Sequence, residues 1–368
     1  MHTEVEAATA PTRRAHCVRR LPDARLAALG LLLALAAAGL APLRAQGSGP
    51  HYHVTKRIPV GGPDGFWDYL TVDTAGNRLF VSHGTRVQVI DLAGDSVSGE
   101  IPGTPGVHGV ALVPGLGRGY TSNGRDSTVT VFDLRTLRPI HTIQATGRNP
   151  DAILYDPHSR RVLTFNHSRG NVSAIDPAGD SVVGTIPVGG TLEFAVSDGA
   201  GHVFVNVEDR SQLVEIDPDG LRVVARWPLA PCEEPTGLAI DRAHGRLFVG
   251  CGNRLMAVVD AGDGHVVAAL PVGPGVDATR FDPGRGLAFA SAGAGTITVV
   301  REDDPDHYSV VESVPTARGA RTMGLDERTH RLYTATMKFG PAPAPTADHP
   351  RPRPRPVPGS FAVLVLEP

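Results

Sequence analysis

Residues 58–100 read IPVGGPDGFWDYLTVDTAGNRLFVSHGTRVQVIDLAGDSVSGE, and the order of signals in this stretch decides the fold. A short apolar run ends at Asp73 and is followed by a polar turn, TAGNR. A second run, RLFVSH, stops at Gly84; a third, VQVID, alternates apolar and polar residues; a fourth, SVSGE, leads out. β-Branched residues in short alternating runs, bounded by Gly, Asp and Asn, predict antiparallel strands. The 3.6-residue period of a helical solenoid is absent from these windows.

The same order recurs every 40–44 residues, opening at Ile58, Ile101, Ile143, Ile186, Trp227, Leu270 and Val314. Four strands per copy at this period predict propeller blades. The expected fold is therefore all-β, a seven-bladed β-propeller of four-stranded antiparallel blades. The seventh copy supplies only three strands, Arg321–Asp326, Arg331–Met337 and Phe361–Leu366. The unassigned strand His51–Ile58 is expected to complete that blade, closing the ring and removing two exposed edges. Residues 340–359, GPAPAPTADHPRPRPRPVPG, interrupt the last copy with eight prolines and predict an extended, polyproline-like excursion. Its Arg351, Arg353 and Arg355 suit a solvated loop or a tethered lid over an acidic channel mouth.

The second-strand phrases LFVSHG, GYTSNG, VFVNVE, LFVGCG and LYTATM resemble the Tyr-Val-Thr-Asn signature of the YVTN-repeat, or YncE-like, β-propellers. The resemblance covers essentially all of residues 51–368. It implies an exported bacterial or archaeal propeller, and a DNA-binding role attaches to the family. No DNA-reading motif transfers to this chain.

Composition fits that frame. Glycine (43) and proline (32) supply the punctuation that many short strands need, and a 41% hydrophobic fraction supplies a core. Arg13, Arg14, Arg19, Arg20 and Arg25 precede an apolar run, Leu26 to Ala41, and a small-residue site at Ala45. This reads as a secretory signal over residues 1–46, or as an uncleaved anchor, with one propeller domain over 47–368. The expected location is periplasmic, extracellular or at the cell surface. The formal charge of −3 divides into +3 over residues 1–46 and −6 over the remainder. An acidic body of this kind is a poor match for nucleic acid.

The remainder keeps only Cys232 and Cys251, nine residues before and ten after the turn residue Asp241. Antiparallel strands joined by that turn return both to one end of blade five. A disulfide is expected in an oxidising compartment, with a shared metal as the alternative.

Aligning the copies places Asp68, His108, Asp151, Glu193, Thr236, Asp277 and Arg321 at the start of the innermost strands. A second ring, His83, Asn123, Asn166, Glu208, Cys251, Ser291 and Thr336, ends the second strands. One channel mouth thus collects carboxylates, two histidines and an arginine. Polar residues there can simply be solvated. They also suit a ligand site, expected at Trp67, Asp68, His83, His108, Asp151, Glu193, Asp277 and Arg321. A divalent metal would draw on His83, His108, Asp151 and Glu193, since Ca²⁺, Mg²⁺, Mn²⁺ or Zn²⁺ accept oxygen and imidazole ligands. Phe66 and Trp67 either pack between blades or form an apolar wall beside the ring.

The reading leans to a monomeric binding or scaffold propeller that takes a small polar ligand, a metal ion or a partner segment. One alternative is a hydrolase or lyase with His108 as base and Asp68 as its orienting carboxylate. No nucleophile elbow of the G-x-S-x-G type accompanies them. The other is a surface adhesion module that uses loops only.

Overall fold

The computed structural model describes residues 51–62, 65–344, 346 and 354–368. The expected signal segment over residues 1–46, and Arg351 and Arg353 of the insertion, lie outside the described residues. Every expected copy forms a four-stranded antiparallel sheet, and seven such sheets make the ring. The innermost strands are Trp67–Asp73, Val107–Val113, Pro150–Asp156, Leu192–Ser197, Pro235–Asp241, Val276–Asp282 and Met323–Asp326. They define blades one to seven.

The middle strands read as continuous apolar runs because each blade is sandwiched between two neighbours. Arg78–His83 is buried at every position after Arg78, whereas the outermost strand Ser96–Pro102 is exposed along most of its length. In five blades an Asp ends the innermost strand and closes the turn to the second. Asp73 Oδ1 accepts the Gly76 amide at 2.8 Å, and Asp156 Oδ2 accepts the Ser159 amide at 2.8 Å. Asn77 (φ 51°) then takes the left-handed conformation that this turn requires.

Arginines that open the second strands tie blade to blade. Arg78 Nη1 donates to Leu134 O at 2.6 Å, Arg118 Nη1 to Pro177 O at 3.0 Å and Arg246 Nε to Pro305 O at 2.9 Å. Each reaches into the following blade.

Blade seven closes as expected. The strand His53–Pro59 pairs with Ala362–Glu367, and Ile58 lies opposite Val363. Ile58 is 1% exposed and packs in a cluster with Leu79, Tyr333 and Val363. The foot of the proline-rich insertion is a short antiparallel stem, with Gly340 donating to Arg355 O and Val357 to Lys338 O, both at 2.8 Å. Cys232 and Cys251 form a disulfide, with Cα atoms 5.5 Å apart.

If Ile58 is the anchor of the closing strand, Ile58→Ala should cost about 2–4 kcal/mol in urea unfolding. Lys56→Ala, whose exposed side chain contacts Asp95, should cost less than about 0.5 kcal/mol. Equal losses would mean that the register of the closing strand is wrong.

Candidate functional site

The register of the first two strands sets where each side chain goes. Trp67 lies opposite His83, Val107 opposite Asn123 and Pro150 opposite Asn166, so the next residue along each innermost strand stands at the mouth. Asp68, His108, Asp151, Glu193, Asp277 and Arg321 line one cavity of about 400 Å³ there, together with Phe66 and Tyr69. Thr236 occupies the matching place in blade five but turns sideways, donating to Val276 O at 2.9 Å.

The cluster is organised around Asp151. On one side, His108 Nδ1 lies 2.6 Å from Asp68 Oδ2 and 3.6 Å from Asp151 Oδ2. On the other, His167 Nδ1 lies 3.0 Å from Glu193 Oε1 and 4.0 Å from Asp151 Oδ2. Asp151 is 6% exposed, and among the described residues no donor reaches its Oδ1. Across the cavity Arg321 is clamped by Asp277, and its guanidinium lies 5.3 Å from the Phe66 ring centroid.

So many acids in one desolvated place hold protons tightly. Burial raises Asp68 to about 7, against the opposing pull of its bond to His108. Burial likewise raises Glu193 to about 8 despite His167. Burial works against the charged form of His108, but the surrounding carboxylates, Asp151 and Asp68 foremost, raise it to about 9.

His108 also borders a second space, a groove of about 660 Å³ whose lining includes Gly65, Gly84, Gly106 and Gly124. A Cβ on Gly124 would sit 2.6 Å from His108 Nε2, so the imidazole lies where only glycine leaves room. Phe66, 46% exposed, borders both the groove and the mouth.

Two expected members stand elsewhere. His83 is 1% exposed inside blade one, its Nδ1 3.0 Å from Gln88 Oε1 and its ring stacked on Phe361 at 4.0 Å. It does not line the mouth, so it leaves both the ligand set and the metal set. Trp67 is 7% exposed and packs with Phe339 and Phe361 between blades, leaving Phe66 to form the apolar wall. Much of the second ring turns inward, because the last residue of a second strand faces the blade interior. Asn123 donates to Thr128 and Thr130, and Asn166 to Asn171 and Ser173. The residue after the strand faces the mouth instead. That is how His167 enters the site, and Glu208 follows its strand in the same way. A one-residue shift in the alignment of the copies was the missing signal.

No protein-family model matches the chain. The uncharacterised protein YncE of Salmonella typhimurium is 23% identical over 214 residues, covering 58% of this chain and 48% of YncE. Its counterpart from Salmonella typhi is 22% identical over the same length. This chain is a distant homologue of YncE. It spans about half the length, 48%, of the curated relatives it matches. Among solved structures, Kuenenia stuttgartiensis hydrazine synthase aligns at a TM-score of 0.64 and 18% identity, over 78% of this chain and 95% of that one. A chain of a mitotic checkpoint complex aligns at 0.69 and 12% identity, over 100% and 99%. Likeness at these identities shows the fold alone. Homology to YncE likewise brings the propeller and no residue role.

The folded mouth holds more protons than the unfolded chain between about pH 4 and pH 9, because Asp68, Glu193 and His108 are all raised. Stability should therefore fall as pH rises through that window. With EDTA present, the urea midpoint of Asp68→Asn/Glu193→Gln should decline less steeply with pH than that of the natural protein. An unchanged slope would place the responsible protons elsewhere.

Proposed function

We propose that this protein is an exported β-propeller that binds a divalent cation at its channel mouth, in a site centred on Asp151. The buried Asp151 Oδ1, which no donor among the described residues reaches, carries the reading. A carboxylate withdrawn from water needs compensation from a proton, a donor or a cation. Asp151 sits between two sets of ligand atoms within mutual reach, Asp68 with His108 and His167 with Glu193. Mixed carboxylate and imidazole ligands suit Mn²⁺ or Zn²⁺ better than a purely oxygen-bound ion. Such an ion would replace protons that the cluster otherwise holds. Export rests on the arginine-flanked apolar run before Ala45. With the ion in place, Phe66 and Arg321 would border a pocket for a small polar ligand.

The test is calorimetric titration of EDTA-stripped protein with Mn²⁺ and Zn²⁺, set beside Asp151→Asn. Stoichiometric binding weakened tenfold or more in the variant, roughly 1.4 kcal/mol, is expected. Equal affinity in both proteins, or none in the natural one, overturns the reading.

A second reading rests on the 2.6 Å bond between Asp68 and His108 Nδ1. That bond leaves Nε2 facing the glycine-lined groove. Because burial is outweighed by the surrounding carboxylates, which raise His108 to about 9, Nε2 would act as a general base above that pH and as a general acid below it, in a hydrolase or lyase. A panel of model ester and β-elimination substrates, with His108→Gln as control, checks it. Turnover lost in the variant supports the base; no turnover by the natural protein removes it.

A further inference from the structure

The other half of the channel has the opposite character. Tyr69 and Phe194 meet edge to face, with ring centroids 4.9 Å apart. Tyr69 lines the mouth cavity, while Phe194 lines a second cavity of about 430 Å³. All seven innermost strands contribute to that second space, from positions further along than the mouth residues. Each is the edge strand of its sheet, so backbone N–H and C=O groups on its free side are unpaired by the ladder.

Arg280 stands in this cavity. Its guanidinium lies 4.7 Å from the Phe194 ring centroid, and its one assigned hydrogen bond runs from Nη1 to Thr279 O at 2.7 Å. Among the described residues no carboxylate lies within ion-pair distance of it. Three other arginines near the channel or between blades have carboxylate partners: Arg321 has Asp277, Arg78 has Asp73 and Arg118 has Asp180. Burial depresses Arg280 to about 10, which leaves it charged at neutral pH. A guanidinium carries five N–H donors in a planar fork shaped for two oxygens of one anion. A half-buried guanidinium without an anionic partner is costly, and an oxyanion supplies both the missing charge and the missing acceptors. At the rim Arg242, exposed and donating to Ser197 O at 2.8 Å, adds a second positive charge, with Glu327 as the acidic neighbour in the lining.

We propose that the channel end opposite the acidic mouth is an anion site, in which Arg280 takes the carboxylate or phosphate group of a small ligand. The proposal does not rest on the cation reading, because the two cavities share no lining residue. Phosphate and carboxylate are alternative sources of the same oxyanion chemistry, and the test separates them.

Inorganic phosphate and acetate are titrated separately into EDTA-treated protein at pH 7 and low ionic strength, by calorimetry and, for phosphate, by ³¹P line broadening. Saturable one-to-one binding of at least one anion is expected, at least tenfold weaker in Arg280→Met and unchanged in Asp151→Asn. If circular dichroism shows that Arg280→Met does not fold, Arg280→Lys is read instead. It keeps the charge, loses the fork, and should bind several-fold more weakly. No saturable binding by the natural protein, or equal affinity in the folded Arg280 variant, overturns the proposal. Loss of anion binding in Asp151→Asn overturns the assignment to this end of the channel.

Discussion

The channel is held by a ring of side-chain hydrogen bonds, each running from one blade to a carbonyl on or just before the innermost strand of the next. Thr71 donates to Val110 O, Ser122 to Asp151 O, Asn206 to Thr236 O and Thr236 to Val276 O. Ser291 donates to Arg321 O and Thr322 to Asp68 O, which brings blade seven round to blade one. Between blades three and four, His167 Nδ1 faces Leu192 O at 3.2 Å. These bonds satisfy carbonyls that the strand ladder leaves unpaired, and they work only if the ring closes. The closing strand His53–Pro59 is therefore a condition for the whole rim, not only for blade seven.

This arrangement explains why the mouth can hold a costly concentration of charge. Among the charged mouth residues, Asp68, Asp151 and Arg321 have carbonyls that receive inter-blade bonds, so their backbones are fixed from two sides. The side chains cannot withdraw from one another by relaxing the strand. Like charges then settle by holding protons, by pairing with His108 and His167, or by accepting a cation. The channel becomes electrostatically divided, with carboxylates at one end, an uncompensated guanidinium at the other, and the Tyr69–Phe194 contact beside both.

The polar residues of the second strands, which carry the resemblance to YncE-like propellers, have a structural occupation. Ser122 and Asn206 staple the neighbouring blade, and Asn123 and Asn166 close networks inside their own. Their chemistry looks ligand-like in the sequence because hydroxyl and amide groups serve a carbonyl as readily as they serve a metal or a substrate. His83 misled in the same way, since an imidazole at a strand end can stack on a neighbour such as Phe361. His167 was hidden because the second ring was read at the last residue of that strand, Asn166, and the side chain that reaches the mouth belongs to the following residue.

The sequence by itself determined the blade count, the strand order, the overlap that closes the ring and, apart from Thr236, the inner ring of mouth residues. All four follow from local periodicity and turn chemistry repeated seven times, and repetition makes a weak local signal legible. Only the tertiary structure decided which polar residues share a cavity. It joined His108 to Asp68 and His167 to Glu193 across blade boundaries, left Asp151 Oδ1 without a donor among the described residues, and set Arg280 on Phe194. Those contacts join residues 25 or more positions apart on different sheets, and no periodicity within a blade encodes the angle at which one sheet meets the next.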